Sequence, residues 1–277
     1  MSQITELWIY PVKGLAGISV AEAQLDATGL RWDRHWMVVD DRGRFVTQRQ
    51  LPQMATVHTA LTSDALILSH PSQAQPLRVA LAESTAARST AVRVWDDRVE
   101  ADCIDAAGGW LTQALQSRRP LHLVRFAATS ARPVSAKYLG EQERSHTHFA
   151  DGYPVLVANQ QTLALLNDTL AQAGEHTVPM SRFRANVVMD DLGGANAELA
   201  QQDLHGEAVI LGIRKPCERC PVTRIDQLSG ERQHPQQPLP ALMSINPLEK
   251  KGAFFGGNAI VLQTGVIRVG DRLTSKP

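Results

Sequence analysis

The chain has 277 residues, of which 43% are hydrophobic and 20% are charged, a composition typical of a soluble globular protein with one large or two modest domains. Its 28 basic and 28 acidic residues give a formal net charge of zero, which excludes a global positive field that would attract nucleic acid or an anionic membrane. Three cysteines are too few for a disulfide framework and predict a reducing, cytoplasmic setting.

The first part of the chain is rich in strand signals. Residues 6–14 predict a short strand that ends at Pro11 and Gly14, with no signal peptide and no membrane anchor. Residues 36–39 and 45–47 predict a hairpin whose turn is DDRG. Further strands are expected in ALILSH, PLRVAL and AVRVWDD. This spacing of short strands predicts a small β-barrel or curled sheet.

The second part mixes helices with strands. Residues 104–117 and 159–174 predict helices, and in the latter Asn159 is expected to cap the start and Gly174 to end the last turn. Residues 229–252 are rich in Pro and Gln and predict a long loop. Strands are expected in RANVVMD, EAVILGI, AIVLQ and GVIRVGDRL. The pattern lacks regular βαβ alternation and predicts a β-dominated α+β fold with two domains, residues 1–118 and 119–277.

The stretch KPCERCPVTRID, residues 215–226, holds two of the three cysteines. One CxxC pair supplies only half of a structural zinc site, so zinc, with His205 and His234 completing the site, is not favoured. A redox pair would open a helix, whereas PVTRID predicts an extended chain. For Cys217 the favoured interpretation is structural burial. Cys220 lies among several basic residues, which favour a thiolate that acts as a nucleophile or a soft-metal ligand.

A second group of basic residues lies at the ends of predicted strands. Any one of these side chains alone is best interpreted as a solvated surface charge. If the fold brings them together, they form an anion pocket, because Arg binds phosphate in a bidentate manner and Lys neutralises it as a point charge. The group comprises Lys13, Arg34, Arg49, Arg182 and Arg184.

These motifs together resemble one known family over nearly the whole chain. YPVKG, WDRHWMVVD and TQRQ are similar to the N-terminal β-barrel that precedes MOSC domains. FADGYPVLVANQQTLALLN, RFRANVVM, KPCERC and FGGNAIVLQTGVIRVGD are similar to the MOSC domain itself. The resemblance is to the YcbX-like bacterial proteins and the mitochondrial amidoxime reducing component. It implies an N-terminal MOSC-associated β-barrel domain packed on a MOSC β-barrel domain.

The resemblance also implies a molybdenum cofactor, a molybdopterin whose metal is ligated by the Cys220 thiolate without a contribution from Cys217. Asp151 matches an acidic residue close to the metal, and as a proton donor it would need a pKa raised by burial. Arg182 is kept as a further candidate for cofactor binding. The remaining implied contacts to the cofactor are Lys13, Arg34, Arg49, Arg184, Asn186 and Arg219.

The implied activity is the two-electron reduction of small N-hydroxylated compounds, such as N-hydroxylated bases and amidoximes. No cysteine cluster for an iron–sulfur domain follows the motifs, so a separate ferredoxin, flavodoxin or flavin or haem reductase is expected to donate electrons. Gly14 and Glu218 depart from the family, since serine is common at both positions. Three alternatives stay open: a cofactor carrier or insertase without turnover, sulfur transfer through a persulfide on Cys220, and a zinc or structural CxxC protein.

Overall fold

The computed structural model describes residues 1–82, 88–232 and 234–276. Within these ranges the chain forms three α-helices: α1 (Gly108–Ala114), α2 (Gln160–Gln172) and α3 (Leu239–Ser244). The strands are β1 (Ser2–Ile9), β2 (Val12–Lys13), β3 (Ile18–Val20), β4 (Glu22–Asp26), β5 (Gly29–Leu30), β6 (Trp36–Asp40), β7 (His58–Leu61), β8 (Ala65–Ser69), β9 (Leu77–Ala80), β10 (Ser89–Val94), β11 (Asp97–Ile104), β12 (Leu121–Phe126), β13 (Val155–Asn159), β14 (Val187–Met189), β15 (Gln202–His205), β16 (Ile210–Glu218), β17 (Phe254–Gln263), β18 (Gly265–Arg268) and β19 (Arg272–Lys276).

Seven strands close into a barrel, in the order β1, β14, β13, β17, β16, β15 and β19, with β19 pairing back to β1. All of these pairs are antiparallel except β13 with β14, which is parallel. Aliphatic side chains such as Leu7, Val157 and Leu211 fill the interior. The first strand of the chain therefore completes a barrel that otherwise comes from its second half.

Strand β3 pairs with β1, and β4 and β5 form a three-stranded sheet with β18. The rest of the first half forms a five-stranded sheet, in the order β10, β11, β12, β6 and β2, and a three-stranded sheet of β7, β8 and β9. Trp36 from the larger sheet, Leu66 from the smaller sheet and Leu111 from α1 share one buried cluster. The architecture confirms the predicted β-dominated α+β fold. The predicted boundary between residues 118 and 119 stays a prediction.

Several local predictions are confirmed. The side chain of Asn159 accepts a hydrogen bond from the Gln161 N–H at the start of α2, and Gly174 follows the helix with a φ of 73°. The predicted hairpin is only partly formed, because Phe45 makes a single bridge to Val39 rather than a strand. The predicted loop 229–252, apart from Gln233 outside the described residues, contains α3. Of the described helices, none combines the length and apolarity needed to cross a membrane.

Candidate active site

A cleft with an open volume of about 920 Å³ is lined by side chains from both halves of the chain. Five cations line it against a single carboxylate, so a chain without net charge concentrates positive charge at one place. Cys217 and Cys220 line the same cleft. The charged residues of the lining are Lys13, Arg34, Arg49, Asp151, Arg184 and Arg219.

Cys217 and Cys220 lie on either side of the end of strand β16. The strand extends through Glu218, and its pairing with β17 shifts register between Pro216 and Glu218. The Arg219 N–H then donates to the carbonyl of Ala253 at 2.7 Å. Both thiols are free.

The prediction that PVTRID is extended is wrong. Residues Pro221–Arg224 form a single turn of 3-10 helix. Proline is compatible with the first position of a helix because the N–H that it lacks has no partner there. The Thr223 hydroxyl donates to the carbonyl of Cys220 at 3.0 Å and stabilises the turn. Cys220 thus lies at the junction between a strand and a helical turn.

Arg219 is fixed beside the thiols. One guanidinium nitrogen donates to Cys217 Sγ at 2.9 Å and another donates to the Phe183 carbonyl at 2.8 Å. Cys217 also packs against the hydrophobic cluster under α2, which agrees with a structural role. Glu218 is not among the described residues that line the cleft, and it pairs with Lys250 at 2.8 Å. Its carboxylate therefore does not add negative charge to the site.

Two arginines enclose the ring of Tyr10. The guanidinium carbon of Arg34 lies 4.4 Å from the ring centroid, and that of Arg184 lies 4.3 Å from it. Both arginines have a left-handed backbone, with φ of 47° and 54°. Burial raises the pKa of Tyr10 to about 12, so the ring remains a neutral phenol. Burial also lowers the pKa of Arg184 to about 10, which leaves the guanidinium charged at neutral pH.

Asp33 and Asn186 hold the guanidinium of Arg34 in place through hydrogen bonds. Arg34 Nη1 donates to Asp33 Oδ2 at 2.6 Å and to Asn186 Oδ1 at 3.0 Å. Asn186 Nδ2 donates to Asp33 Oδ1 and to the Trp8 carbonyl, while its Oδ1 also accepts from the Leu156 N–H. The Asn186 amide is therefore occupied within the protein, and its evident role in this structure is to orient Arg34.

Lys13 and Asp151 form an ion pair in the cleft. Lys13 Nζ donates to Asp151 Oδ1 at 2.5 Å and to the Phe149 carbonyl at 2.8 Å, and the Trp95 indole N–H donates to the same carboxylate oxygen at 3.1 Å. The Asp151 side chain is 74% exposed, whereas that of Lys13 is 11% exposed.

Partial loss of hydration raises the pKa of Asp151. The charge of the Lys13 ammonium and its hydrogen bond outweigh that effect and hold the pKa of Asp151 well below its usual range. A proton donor would need a raised pKa, and Asp151 does not meet that condition because it contacts a cation that lies 138 positions away in the sequence. At neutral pH Asp151 is a carboxylate and does not carry a proton to donate.

Arg182 is the one predicted site residue that the described cleft lining does not include. Its guanidinium pairs with Asp226 at 3.2 Å, and both side chains are largely buried. Arg49 lines the cleft, with its guanidinium carbon 5.0 Å from the ring centroid of Trp95.

The sequence interpretation missed five residues in or around the cleft: Tyr10, Asp33, Gln48, Trp95 and Gln227. Of these, only Trp95 carried a local signal, as a bulky residue at a predicted strand end.

Comparisons with known proteins agree with these motifs. A model of the MOSC N-terminal beta barrel domain matches residues 1–118, and a model of the MOSC domain matches residues 144–274. The mitochondrial amidoxime-reducing component 1 of Xenopus laevis is 30% identical over 289 residues, covering 99% of this chain and 82% of the relative. That of Homo sapiens is 29% identical, covering 97% and 81%. Among solved structures, the YUAD protein of Bacillus subtilis is similar at 9% identity, with a TM-score of 0.40 and coverage of 98% and 93%.

Proposed function

The chain belongs to the MOSC-domain family that includes the mitochondrial amidoxime-reducing components, and from this premise we propose that it is a molybdenum-cofactor-dependent reductase of N-hydroxylated compounds. Its substrates are small molecules such as amidoximes and N-hydroxylated bases. The reaction breaks the N–O bond of the substrate, consumes two electrons and two protons, and releases water. A separate electron-transfer protein supplies the electrons.

The observation that carries the proposal is the combination of two free thiols, Cys217 and Cys220, and five cations in a single cleft. Two of the arginines there have unused hydrogen-bond donors. Arg184 Nη2 and Arg219 Nε are buried and lack a hydrogen-bond partner in the described part of the chain. Buried donors without partners are rare, and phosphate oxygens satisfy guanidinium donors well. The residues therefore fit a phosphate-bearing cofactor.

Cys220 would ligate the molybdenum, because a thiolate is a soft ligand of the kind that such metals accept. When bound, the cofactor supplies the redox centre for reduction of the N–O bond. Asn186 would contribute to cofactor binding by orienting Arg34. Arg182 would contribute only indirectly, by holding in place the segment that contains its partner Asp226. The side chains that would hold the anionic part of the cofactor are Lys13, Arg34, Arg49, Arg184 and Arg219.

Asp151 takes the role of a hydrogen-bond acceptor rather than a proton donor. It lines the cleft and is largely exposed there, and Lys13 keeps it ionised. An ionised carboxylate accepts hydrogen bonds from N–H groups about twice as strongly as a neutral acceptor does. Asp151 would therefore bind and orient the substrate.

The proposal is tested on purified protein by measuring its molybdenum content and its reduction of benzamidoxime to benzamidine with reduced methyl viologen as the electron source. We expect bound molybdenum and formation of benzamidine. Molybdenum without turnover would support a cofactor carrier instead. A persulfide on Cys220 without molybdenum, detected by mass spectrometry, would support sulfur transfer.

A further inference from the structure

Trp95 occupies a backbone position that disfavours a bulky residue. Val94 pairs with Asp97 in the hairpin of β10 and β11, so Trp95 and Asp96 alone form the turn. Trp95 has a φ of 55°. Two-residue hairpin turns place Gly, Asn or Asp at such positions, and a large side chain there is strained. Strained residues of this kind concentrate at functional sites, so the side chain of Trp95 needs a functional explanation.

Burial does not supply that explanation. Trp95 is 41% exposed, and its ring lines the cleft beside Phe45, whose ring centroid lies 5.1 Å away. The polar contact of the ring is the hydrogen bond from Nε1 to Asp151 Oδ1 at 3.1 Å. The side chain therefore connects the first half of the chain to the only carboxylate in the described lining of the cleft.

This hydrogen bond leaves the two oxygens of Asp151 in different environments. Oδ1 accepts from both Lys13 Nζ and Trp95 Nε1. Oδ2 receives no hydrogen bond from the residues that the structure describes, and the side chain is largely exposed to the cleft. With Oδ1 held by two donors, Oδ2 is the oxygen available to a bound molecule.

We infer that Trp95 determines substrate specificity by fixing Asp151 so that Oδ2 accepts a hydrogen bond from an N–H group of the substrate. This inference rests on the proposed reductase function. The selected class is N-hydroxylated compounds with an amino group on the carbon next to the hydroxylated nitrogen, which includes amidoximes and N-hydroxyguanidines. Oximes without that amino group leave Asp151 Oδ2 without a hydrogen bond from the substrate, and the site binds their transition state less tightly.

The test compares benzamidoxime with benzaldoxime, which carries hydrogen in place of the amino group. Wild-type holoprotein is expected to prefer benzamidoxime by at least ~10-fold in kcat/KM. Trp95→Phe keeps the ring but removes the N–H, and the preference should fall toward unity at unchanged molybdenum content. Trp110→Phe is the matched control, because Trp110 donates its indole N–H to the Gln75 carbonyl and is absent from the described cleft lining. An unchanged preference in Trp95→Phe overturns the inference.

Binding of the product benzamidine gives a measurement that does not depend on turnover. Calorimetric titration of the holoprotein should give an affinity at least ~5-fold weaker for Trp95→Phe than for wild type and for Trp110→Phe. Equal affinities for wild type and Trp95→Phe overturn the role of Trp95. If wild-type holoprotein reduces neither compound, the proposed reductase function fails, and the benzamidine titration still decides the role of Trp95 in binding.

Discussion

Gln48 and Gln227 exchange hydrogen bonds between the two halves of the chain. Gln48 Nε2 donates to Gln227 Oε1 at 3.0 Å, and Gln227 Nε2 donates to Gln48 Oε1 at 2.9 Å. Gln227 Oε1 also accepts from Arg184 Nη1 at 3.0 Å. The pair therefore joins the segment after β6 to the loop that follows the CxxC motif, and it holds one of the cleft arginines in place.

Replacing Gln227 by alanine should destabilise the protein by about 1–3 kcal/mol, because the buried Oε1 of Gln48 loses the hydrogen bond from Gln227 Nε2. Urea unfolding of wild type, Gln48→Ala, Gln227→Ala and the double variant checks this. The loss of unfolding free energy in the double variant should be smaller than the sum of the losses in the two single variants. Strict additivity would contradict a direct coupling between the two amides.

Replacing Asp33 by alanine should lower the unfolding free energy far more than replacing a surface carboxylate. The side chains of Asp33 and Arg34 are 2% and 14% exposed, so Asp33→Ala leaves a charge buried without its counterion at a cost of about 3–5 kcal/mol. Asp64 pairs with Arg78 on the surface and is the matched control. Asp64→Ala should change the unfolding free energy little. Similar losses for both variants would show that Asp33 is not a buried anchor of Arg34.

Because His35 is largely buried, we expect the unfolding free energy of the protein to fall in acid. Burial, with smaller effects of His148 and Arg125, lowers the pKa of His35 to about 3, whereas an unfolded histidine titrates near ~6.5. The stabilising contribution of the neutral ring is complete above the unfolded pKa and is lost as the pH falls toward the folded pKa.

Between about pH 6 and 4, the unfolding free energy of wild type should fall relative to that of His35→Phe, by at most ~1.4 kcal/mol per pH unit. Urea titrations across this range measure the difference. The ring of His148 lies 4.9 Å from that of His35, so the same comparison in a His148→Phe background separates the two titrations. Parallel curves for the two proteins would rule out the titration of His35 as a cause.

Gly14 has a φ of 86°, and a Cβ there would approach the Met54 Cε to 2.9 Å. Gly174 has a φ of 73° with open space around it. Both glycine-to-alanine changes carry backbone strain of ~1 kcal/mol. Gly14→Ala should cost more by up to ~1 kcal/mol, because the buried Met54 methyl, the end of a flexible side chain, must also shift. Thermal or urea unfolding that gives equal losses would contradict a tight contact with Met54.

Sequence patterns were sufficient for the elements that local chemistry determines. The Asn159 cap and the Gly174 ending of α2 follow from residues adjacent in the chain. Sequence patterns were insufficient where the contacts of a residue come from distant positions in the chain. Of two arginines that flank Phe183, only Arg184 lines the cleft, because the chain leaves the 3-10 turn at Arg184 in a left-handed conformation.

The ionisation of Asp151 likewise depends on distant neighbours. Its partners Lys13 and Trp95 belong to the first half of the chain, and no local pattern indicates that they contact this carboxylate. Gln48 and Gln227 were missed because their roles depend on pairing across 179 positions. The residue types of the cleft could thus be predicted in large part, while their mutual contacts required the fold.

Cys220, and not Cys217, is the cysteine that we propose as the molybdenum ligand. Elemental analysis of freshly purified wild type, Cys220→Ala and Cys217→Ala tests it most directly. We expect molybdenum in wild type and in Cys217→Ala, because Cys217 packs against the hydrophobic cluster under α2, and a severe loss of molybdenum in Cys220→Ala. Equal molybdenum content in the two variants, or zinc in place of molybdenum in wild type, would contradict the claim.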